Sequence, residues 1–372
     1  MDYLKLSDCS DYSNKRTSNI QLETYISTEN MLPNKGGVVK AESIPDCKST
    51  SKYEPHDILL SNIRPYFCKI WYADKEGGCS NDVLVIKAKK GYLPKFLYYV
   101  LSDQNFFNYD TVTSKGTKMP RGSKNAIMKY LVPDADIFTQ RRIASILSAY
   151  DNLIENNNKR IRLLEQMAEN LYKEWFVRFR FPGHEKVEME NGLPKGWCRL
   201  PLKTICEFIR GKNITSSEMI PGNIPVISAG VTPSGTHNTS NVQGVSITIS
   251  SSGANAGFIS IHYEDIWAAD CSYISEKTTK NIYYVYELLN NMRDVIDNLQ
   301  RGAAQPHVYP KDINRIMVVL PDEKLRKEAD ERFERMHKLV AKFLKQNDYL
   351  TRQRDLLLPR LMSGKLEVKV EE

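Results

Sequence analysis

In two stretches of the chain, mostly apolar residues recur at alternating steps of three and four positions, and each such series is called a seam here. This pattern limits the possible fold more than any other feature. The first stretch predicts a helix from Gln140 to about Val177, with Thr139 as its N-cap. The seam runs through Ile143, Leu147, Tyr150, Ile154, Asn157, Ile161, Leu164, Ala168, Leu171 and Trp175. A shorter run would indicate only an amphipathic core helix, whereas a seam of this length is typical of a helix that packs lengthwise on another.

The matching seam lies near the C-terminus, in a helix predicted from Glu323 to about Met362. Its members are Phe333, Met336, Val340, Phe343, Asn347, Leu350, Arg354, Leu357 and Leu361. If the two helices run antiparallel, the seams interlock in pairs whose residue numbers sum to 504. These pairs are Leu171 with Phe333, Leu164 with Val340, Ile161 with Phe343, Ile154 with Leu350 and Leu147 with Leu357. The same sum pairs Asn157 with Asn347, either as a polar layer that sets the register or by coincidence.

Length and composition narrow the class of protein. A chain of 372 residues predicts two or three domains, and its apolar and charged fractions are those of a soluble globular protein. Because it has no run of 18 apolar residues and no signal-peptide core, we expect a cytoplasmic protein without a membrane partner. The seven cysteines form no CxxC motif, so neither a disulfide framework nor a metal site is predicted. The net charge of +7 permits a polyanionic partner without demonstrating one.

Five short segments recur in the same order, at offsets of 186 to 197 residues. The matches are Leu4–Cys9 with Leu200–Cys206, Asp57–Asn62 with Ser246–Ser251, Cys79–Ser80 with Cys271–Ser272, Gly116–Pro120 with Gly302–Pro306, and Ile127–Pro133 with Ile316–Pro321. Each series leads into one of the long helices. The predicted fold is therefore mixed (α+β), with two α/β units separated by two long helices in an antiparallel coiled coil and related by a pseudo-twofold repeat.

The repeat also predicts the domain boundaries. We expect a first globular unit at 1–137, a central helix at 138–180, a second unit at 181–321, and the C-terminal helix with its tail at 322–372. Each unit should contain short strands, such as Asp82–Lys87 and Ser246–Ser250, and one helix, at Pro94–Gln104 or Ile282–Leu299.

Four segments resemble the specificity subunit of type I restriction-modification systems. They are Gln140–Leu147, Leu193–Trp197, Gly302–Pro306 with the downstream Leu320-Pro321, and Leu356–Lys365. The first unit begins with Asp2-Tyr3-Leu4 and lacks a clear counterpart of Leu193–Trp197.

The resemblance implies two target-recognition domains, each reading one half of a bipartite site in double-stranded DNA. It further implies that the paired helices act as a spacer and dock two modification (methyltransferase) subunits, alongside ATP-dependent restriction subunits. A helix of 33 residues from Ile143 to Trp175 is about 50 Å long, enough to hold two readers on half-sites about 34 Å apart.

The first unit offers two candidate DNA-contacting segments. Near the end of a predicted strand, Asn62, Arg64 and Lys69 combine donors with neighbouring aromatic residues, and they are either DNA contacts or a solvated strand end. The loop Ser114–Lys124 is more basic, and its glycines allow the backbone to approach a phosphate. It is either a phosphate-binding loop or an ordinary basic loop. Its cationic side chains are Lys115, Lys118, Arg121 and Lys124.

The second unit offers less charged candidates. Polar side chains stand at Ser251 and Asn255, and a basic turn is formed by Arg210, Lys212 and Asn213. The counterpart of the basic loop contains Arg301, Gln305 and His307. Gln305 suits adenine, and Arg301 suits guanine or a phosphate.

No catalytic motif is present. The chain has no NPPY- or DPPY-type tetrapeptide, no GxGxxG and no Walker A sequence, so we predict no catalytic residue and no cofactor bound by this chain. By the resemblance, S-adenosylmethionine, ATP and Mg²⁺ belong to partner subunits. The sequence leaves two alternatives open: a DNA-binding methyltransferase or endonuclease with an unrecognised site, and a coiled-coil scaffold that does not bind DNA.

Overall fold

The computed structural model describes residues 2–300 and 306–366, and its chain forms two units. Unit 1 comprises Met1–Asn156 with Asn347–Glu372, and unit 2 comprises Asn157–Gln346. Each long helix passes from one unit into the other. The boundaries expected from the sequence follow the helix ends instead, and that division stays a prediction. Among the described residues, no helix is both long and apolar enough to cross a membrane.

Unit 1 contains short strands in three small sheets. The strands are β1 (Tyr3–Lys5), β2 (Ser10–Tyr12), β3 (Arg16–Thr17), β4 (Thr50–Tyr53), β5 (Ile58–Ser61), β6 (Ile70–Tyr72), β7 (Gly77–Cys79), β8 (Val83–Ala88) and β9 (Leu131–Pro133). The helices are α1 (Leu6–Cys9), α2 (Pro94–Ser102), α3 (Gln104–Thr113), α4 (Lys124–Ile127) and α5 (Ile137–Tyr172). The sheets have the strand orders β2-β8-β5-β6, β3-β4-β7 and β1-β9. Helices α2 and α3 bury Phe96, Leu97 and Phe106 against the first sheet.

Unit 2 repeats this plan. Its strands are β10 (Met189–Glu190), β11 (Leu193–Pro194), β12 (Cys198–Pro201), β13 (Ile209–Arg210), β14 (Ile224–Ile227), β15 (Gly235–His237), β16 (Ser246–Ser250), β17 (Ile259–His262), β18 (Trp267–Ala268), β19 (Cys271–Ser275) and β20 (Met317–Leu320). Its helices are α6 (Ile282–Asn290), α7 (Arg293–Asp297), α8 (Pro310–Ile313) and α9 (Glu323–Met362). The main sheet has the order β13-β19-β16-β17, and β12 pairs with β20. The mixed helix and strand fold expected from the sequence is confirmed.

Strand pairing identifies the repeat in three dimensions. Leu4 pairs with Val132 in unit 1 as Leu200 pairs with Val318 in unit 2. One sequence match was wrong. Ser61 pairs with Val83 and Ser250 pairs with Cys271, so the equivalent of Cys271 is Val83 rather than Cys79. Both cysteines are buried, but Cys79 is the last residue of β7, which belongs to a different sheet.

Helix α5 begins earlier than predicted. It starts at Ile137, and the carboxylate of Asp136 accepts hydrogen bonds from the backbone N–H groups of Phe138 (2.8 Å) and Thr139 (3.0 Å). Asp136 is therefore the N-cap, and the prediction of Thr139 was wrong. The Thr139 hydroxyl instead donates to Asp136 Oδ2 at 2.8 Å. After Tyr172 the helix widens into a π-turn over Lys173–Val177, close to the predicted end.

All residues of both seams are buried or half-buried. In unit 1, Arg354 Nη1 donates to Asp151 Oδ1 at 2.7 Å. In unit 2, Asn157 Nδ2 donates to Gln346 Oε1 at 3.3 Å, and the Arg160 guanidinium lies 5.5 Å from the Phe343 ring centroid. The residue numbers of these pairs sum to 505, 503 and 503, near the expected 504. The detailed coiled-coil pairing, including Asn157 with Asn347, stays a prediction.

Buried polar groups join the long helices to each unit's sheet-covering helix. In unit 1 the Tyr99 hydroxyl of α2 donates to Asp151 Oδ2 of α5 at 2.5 Å. In unit 2 Glu287 Oε1 of α6 lies 2.8 Å from His337 Nε2 of α9, and both side chains are almost completely buried. Removing one member would leave a polar atom of the other without that partner, so each contact favours one packing position of its helix.

Candidate nucleic-acid interface

In unit 1 the basic loop folds over the end of β5. Its base is closed by two backbone hydrogen bonds of 2.9 Å between Lys115 and Arg121, and Gly116 takes the left-handed conformation (φ +95°) that the turn requires. The N–H of Gly122 donates to the carbonyl of Asn62 at 3.0 Å, and that of Arg64 donates to the carbonyl of Pro120 at 2.8 Å. The structure therefore brings together the two candidate segments that the sequence predicted separately.

The cationic side chains of this loop differ in their surroundings. Lys115, Lys118, Arg121 and Lys124 are exposed. Arg121 Nη2 lies 3.2 Å from Asp82 Oδ1, and Lys124 Nζ lies 6.0 Å from the ring centroid of Tyr12. Several positive charges thus stand on a hydrogen-bonded backbone framework, which suits an anionic ligand.

Two predicted residues on the neighbouring segment are partly or largely buried. Lys69 donates from Nζ to the carbonyl of Thr28 at 2.6 Å, and partial burial lowers the pKa of its ammonium group. Asn62 is only 9% exposed, and within residues 2–300 and 306–366 its Oδ1 has no hydrogen-bond partner. Lys69 therefore stabilises the loop that contains Thr28, and Asn62 packs against the basic loop.

A buried carboxylate that the sequence reasoning missed lies beside Asn62. Asp110 is completely buried, and in the described part of the chain neither of its carboxylate oxygens has a hydrogen-bond partner. Burial raises the pKa of Asp110 to about 7. A Cβ atom at Gly122 would lie 2.5 Å from Asp110 Oδ1, so the backbone of the basic loop rests on this carboxyl group. A sequence signal existed, because Asp110 follows Phe106 and Phe107 at four and three positions, on the buried face of α3.

Unit 2 has the same backbone framework. The N–H of Val308 donates to the carbonyl of Ser251 at 3.0 Å, and that of Gly253 donates to the carbonyl of Pro306 at 3.1 Å. These bonds correspond to those of Gly122 and Arg64 in unit 1, at offsets of 186 to 189 residues. Ser251 is fully buried, as expected of the position equivalent to Asn62, and its hydroxyl has no partner among the described residues.

Among the polar candidate residues of unit 2, one is held in an ion pair and others are exposed. Arg210 is paired with Asp270, and the next residue, Gly211, passes so close to the carbonyl of Ala269 that a Cβ would lie 2.3 Å from it. Lys212 and Asn213 are exposed, as is Asn255, and His307 stacks on Tyr309. Arg301 and Gln305 lie outside the described residues. Whether any of these side chains contacts DNA stays a prediction.

Two cavities lie beside the frameworks. One of about 300 Å³ in unit 1 is lined by Tyr12, Asn14, Arg16, Asn81 and Lys124, among others. Another of about 460 Å³ in unit 2 includes His262, whose pKa burial lowers to about 4 and whose Nε2 lies 2.8 Å from Thr248 Oγ1. Within the described ranges, no group of three or more His, Cys, Asp or Glu side chains is arranged to hold a metal ion.

The fold and these surfaces define a protein with two similar units, each presenting basic side chains above the same strand end. The sequence profile of the family described as type I restriction modification DNA specificity domain matches residues 10–166 and 194–354. The two matched ranges cover most of the chain, one in each half of the repeat. The chain therefore belongs to this family, and the resemblance found in the sequence is confirmed.

Individual relatives agree with this assignment. The chain is 25% identical over 310 residues to the type I restriction enzyme MjaIX specificity subunit of Methanocaldococcus jannaschii, covering 76% of this chain and 71% of the relative. It is 28% identical over 163 residues to the HindI specificity subunit of Haemophilus influenzae, covering 42% and 36% of the two chains. The crystal structure of a type I restriction-modification S subunit from M. genitalium has a TM-score of 0.60 at 19% identity, covering 99% and 96%, and shows the shared fold.

Proposed function

We propose that this chain is the DNA sequence-specificity subunit of a type I restriction-modification complex. Each unit binds one half of a bipartite site in double-stranded DNA. The observation that carries the proposal is the repeated framework, in which the carbonyl of Asn62 or Ser251 accepts a hydrogen bond from the segment that carries the basic loop or its equivalent. Because the side chains on the two frameworks differ, the two half-sites should differ in sequence.

The long helices α5 and α9 are the proposed spacer and the docking surface for two modification subunits. Their two seams of buried and half-buried residues and the contacts near the expected register support a paired arrangement. Restriction subunits would complete the complex. In this arrangement the chain itself transfers no methyl group, and S-adenosylmethionine, ATP and Mg²⁺ are bound by the partner subunits.

The direct test is to express the chain with its modification subunits in a host that lacks the system and to map adenine and cytosine methylation across the genome. We expect methylation at one asymmetric bipartite motif with a fixed non-specific gap. The purified chain alone, incubated with S-adenosylmethionine and the same DNA, is the control and should be inactive. Methylation by the lone chain, or a single uninterrupted motif, would contradict the proposal.

A further inference from the structure

We propose that Asp82 and Asp270 are positioning residues for DNA recognition. Each carboxylate holds one arginine, Arg121 in unit 1 or Arg210 in unit 2, in an orientation that presents its remaining N–H donors to a base edge. The proposal rests on the proposed function above and adds which side chains set the base preference in each half-site.

The two aspartates occupy the same place in the repeated fold. Asp82 immediately precedes β8, and Asp270 immediately precedes β19. The carbonyl of Asp82 accepts a hydrogen bond from the N–H of Asn62 at 2.8 Å, and that of Asp270 accepts one from the N–H of Ser251 at 3.3 Å. Each aspartate is therefore attached to the strand end over which the candidate DNA-contacting segment folds.

The two arginines, by contrast, belong to segments that are not equivalent in the repeat. Arg121 belongs to the basic loop before β9, and its Nη2 lies 3.2 Å from Asp82 Oδ1 and 3.5 Å from Oδ2. Arg210 belongs to β13, and its Nη2 is hydrogen-bonded to Asp270 Oδ1, while the Ser252 hydroxyl donates to Asp270 Oδ2. The repeat alone does not account for the pairing, because only the carboxylate is in an equivalent position.

Stability does not explain these pairs. The Asp82 and Arg121 side chains are 33% and 56% exposed, and those of Asp270 and Arg210 are 24% and 40% exposed. Ion pairs that are partly exposed to solvent contribute little to the free energy of folding. A carboxylate on a basic surface also repels phosphate, which weakens non-specific DNA binding. Its presence in both units therefore points to a role that offsets this loss.

Recognition of a base edge is such a role. A guanidinium group has five N–H donors in one plane, so a carboxylate on one edge fixes that plane and leaves the other donors free for guanine O6 and N7. The same carboxylate neutralises the charge that would draw the arginine to a phosphate. Arg121 is thereby assigned to a base edge instead of the phosphate contact expected from its basic loop.

The experiment uses the full chain assembled with modification subunits. Binding is measured on a duplex with the wild-type bipartite motif, on every single-base-pair variant of it, and on an unrelated duplex. Asp82→Asn should lower discrimination by about tenfold at one or two base pairs of one half-site, the range of a lost bidentate contact, without weakening binding to the unrelated duplex. Arg121→Ala should affect the same base pairs, and the double variant should lose no more than Arg121→Ala.

Asp270→Asn and Arg210→Ala should act in the same way on the other half-site. Asp11→Asn is the matched control. Asp11 Oδ1 lies 3.3 Å from Lys89 Nζ in an exposed ion pair of unit 1, and Asp11 is not part of either framework. That variant should leave discrimination unchanged.

An equal change in affinity for all duplexes would show phosphate contact or a purely structural pair, and it would overturn the inference. If Asp82→Asn disturbs folding, Arg121→Ala decides, since it removes only an exposed side chain; unchanged discrimination in that variant overturns the inference. A complex that binds no bipartite site would instead overturn the proposed function. Bipartite binding with unaltered discrimination in every aspartate and arginine variant overturns the inference alone.

Discussion

Replacing Asp110 by asparagine should change how the stability of the chain depends on pH. Burial raises the pKa of this carboxyl group from its ordinary 3.8 to about 7 in the folded chain. Between these two values the folded state holds a proton that the unfolded state has released. The free energy of unfolding therefore falls as the pH rises through this window. Below about pH 4 the carboxyl group is protonated in both states and causes no loss of stability.

The magnitude follows from the difference between the two pKa values. At 1.36 kcal/mol per pKa unit, a rise from 3.8 to about 7 amounts to about 4 kcal/mol of lost stability at high pH. About 3 kcal/mol of this should be lost between pH 5 and 8. A loss of this size arises because an ionised carboxylate without hydrogen-bond partners costs several kcal/mol when buried.

The assay is urea denaturation of the wild-type chain and Asp110→Asn at several pH values from 5 to 8. The quantity compared is the difference in free energy of unfolding between the two proteins, because the contributions of all other titrating groups cancel in it. The wild type should lose about 3 kcal/mol relative to the variant across this range. Asp46→Asn, at an exposed loop carboxyl of the same unit, should parallel the wild type. Parallel curves for the wild type and Asp110→Asn would refute the reasoning and would mean that Asp110 is ionised in the fold.

Two further predictions concern DNA. Inserting one heptad beside Asn157 and one beside Asn347 keeps both seams in phase and lengthens each helix by about 10 Å, so the gap between half-sites in the methylated motif should grow by about three base pairs while both half-sites stay the same. An active variant with an unaltered gap would show that the helices do not set the spacing. Replacing Lys115 and Lys118 by alanine should weaken binding of the complex about equally on all sequences and should reduce the slope of log affinity against log salt by about one per lost phosphate contact. An unchanged slope would place these lysines off the DNA.

Patterns that can be read along the chain made the long helices and the repeat predictable. A helix brings residues three and four positions apart onto one face, so seams of ten and nine residues are visible without knowledge of any distant contact. Helix α9 was predicted from Glu323 to about Met362, and the structure has it at these residues. The repeat was visible for a different reason, because five short segments recur in the same order at offsets of 186 to 197 residues.

Tertiary structure decided what depends on residues far apart in the chain. The pairing of Asp82 with Arg121 and of Asp270 with Arg210 joins positions 39 and 60 residues apart, and no spacing rule connects them. The correspondence of Val83 with Cys271 required strand pairing, since side-chain identity suggested Cys79. The raised pKa of Asp110 is likewise a consequence of burial by the packed core and the loop backbone at Gly122, and a side chain has no burial until the whole unit is folded.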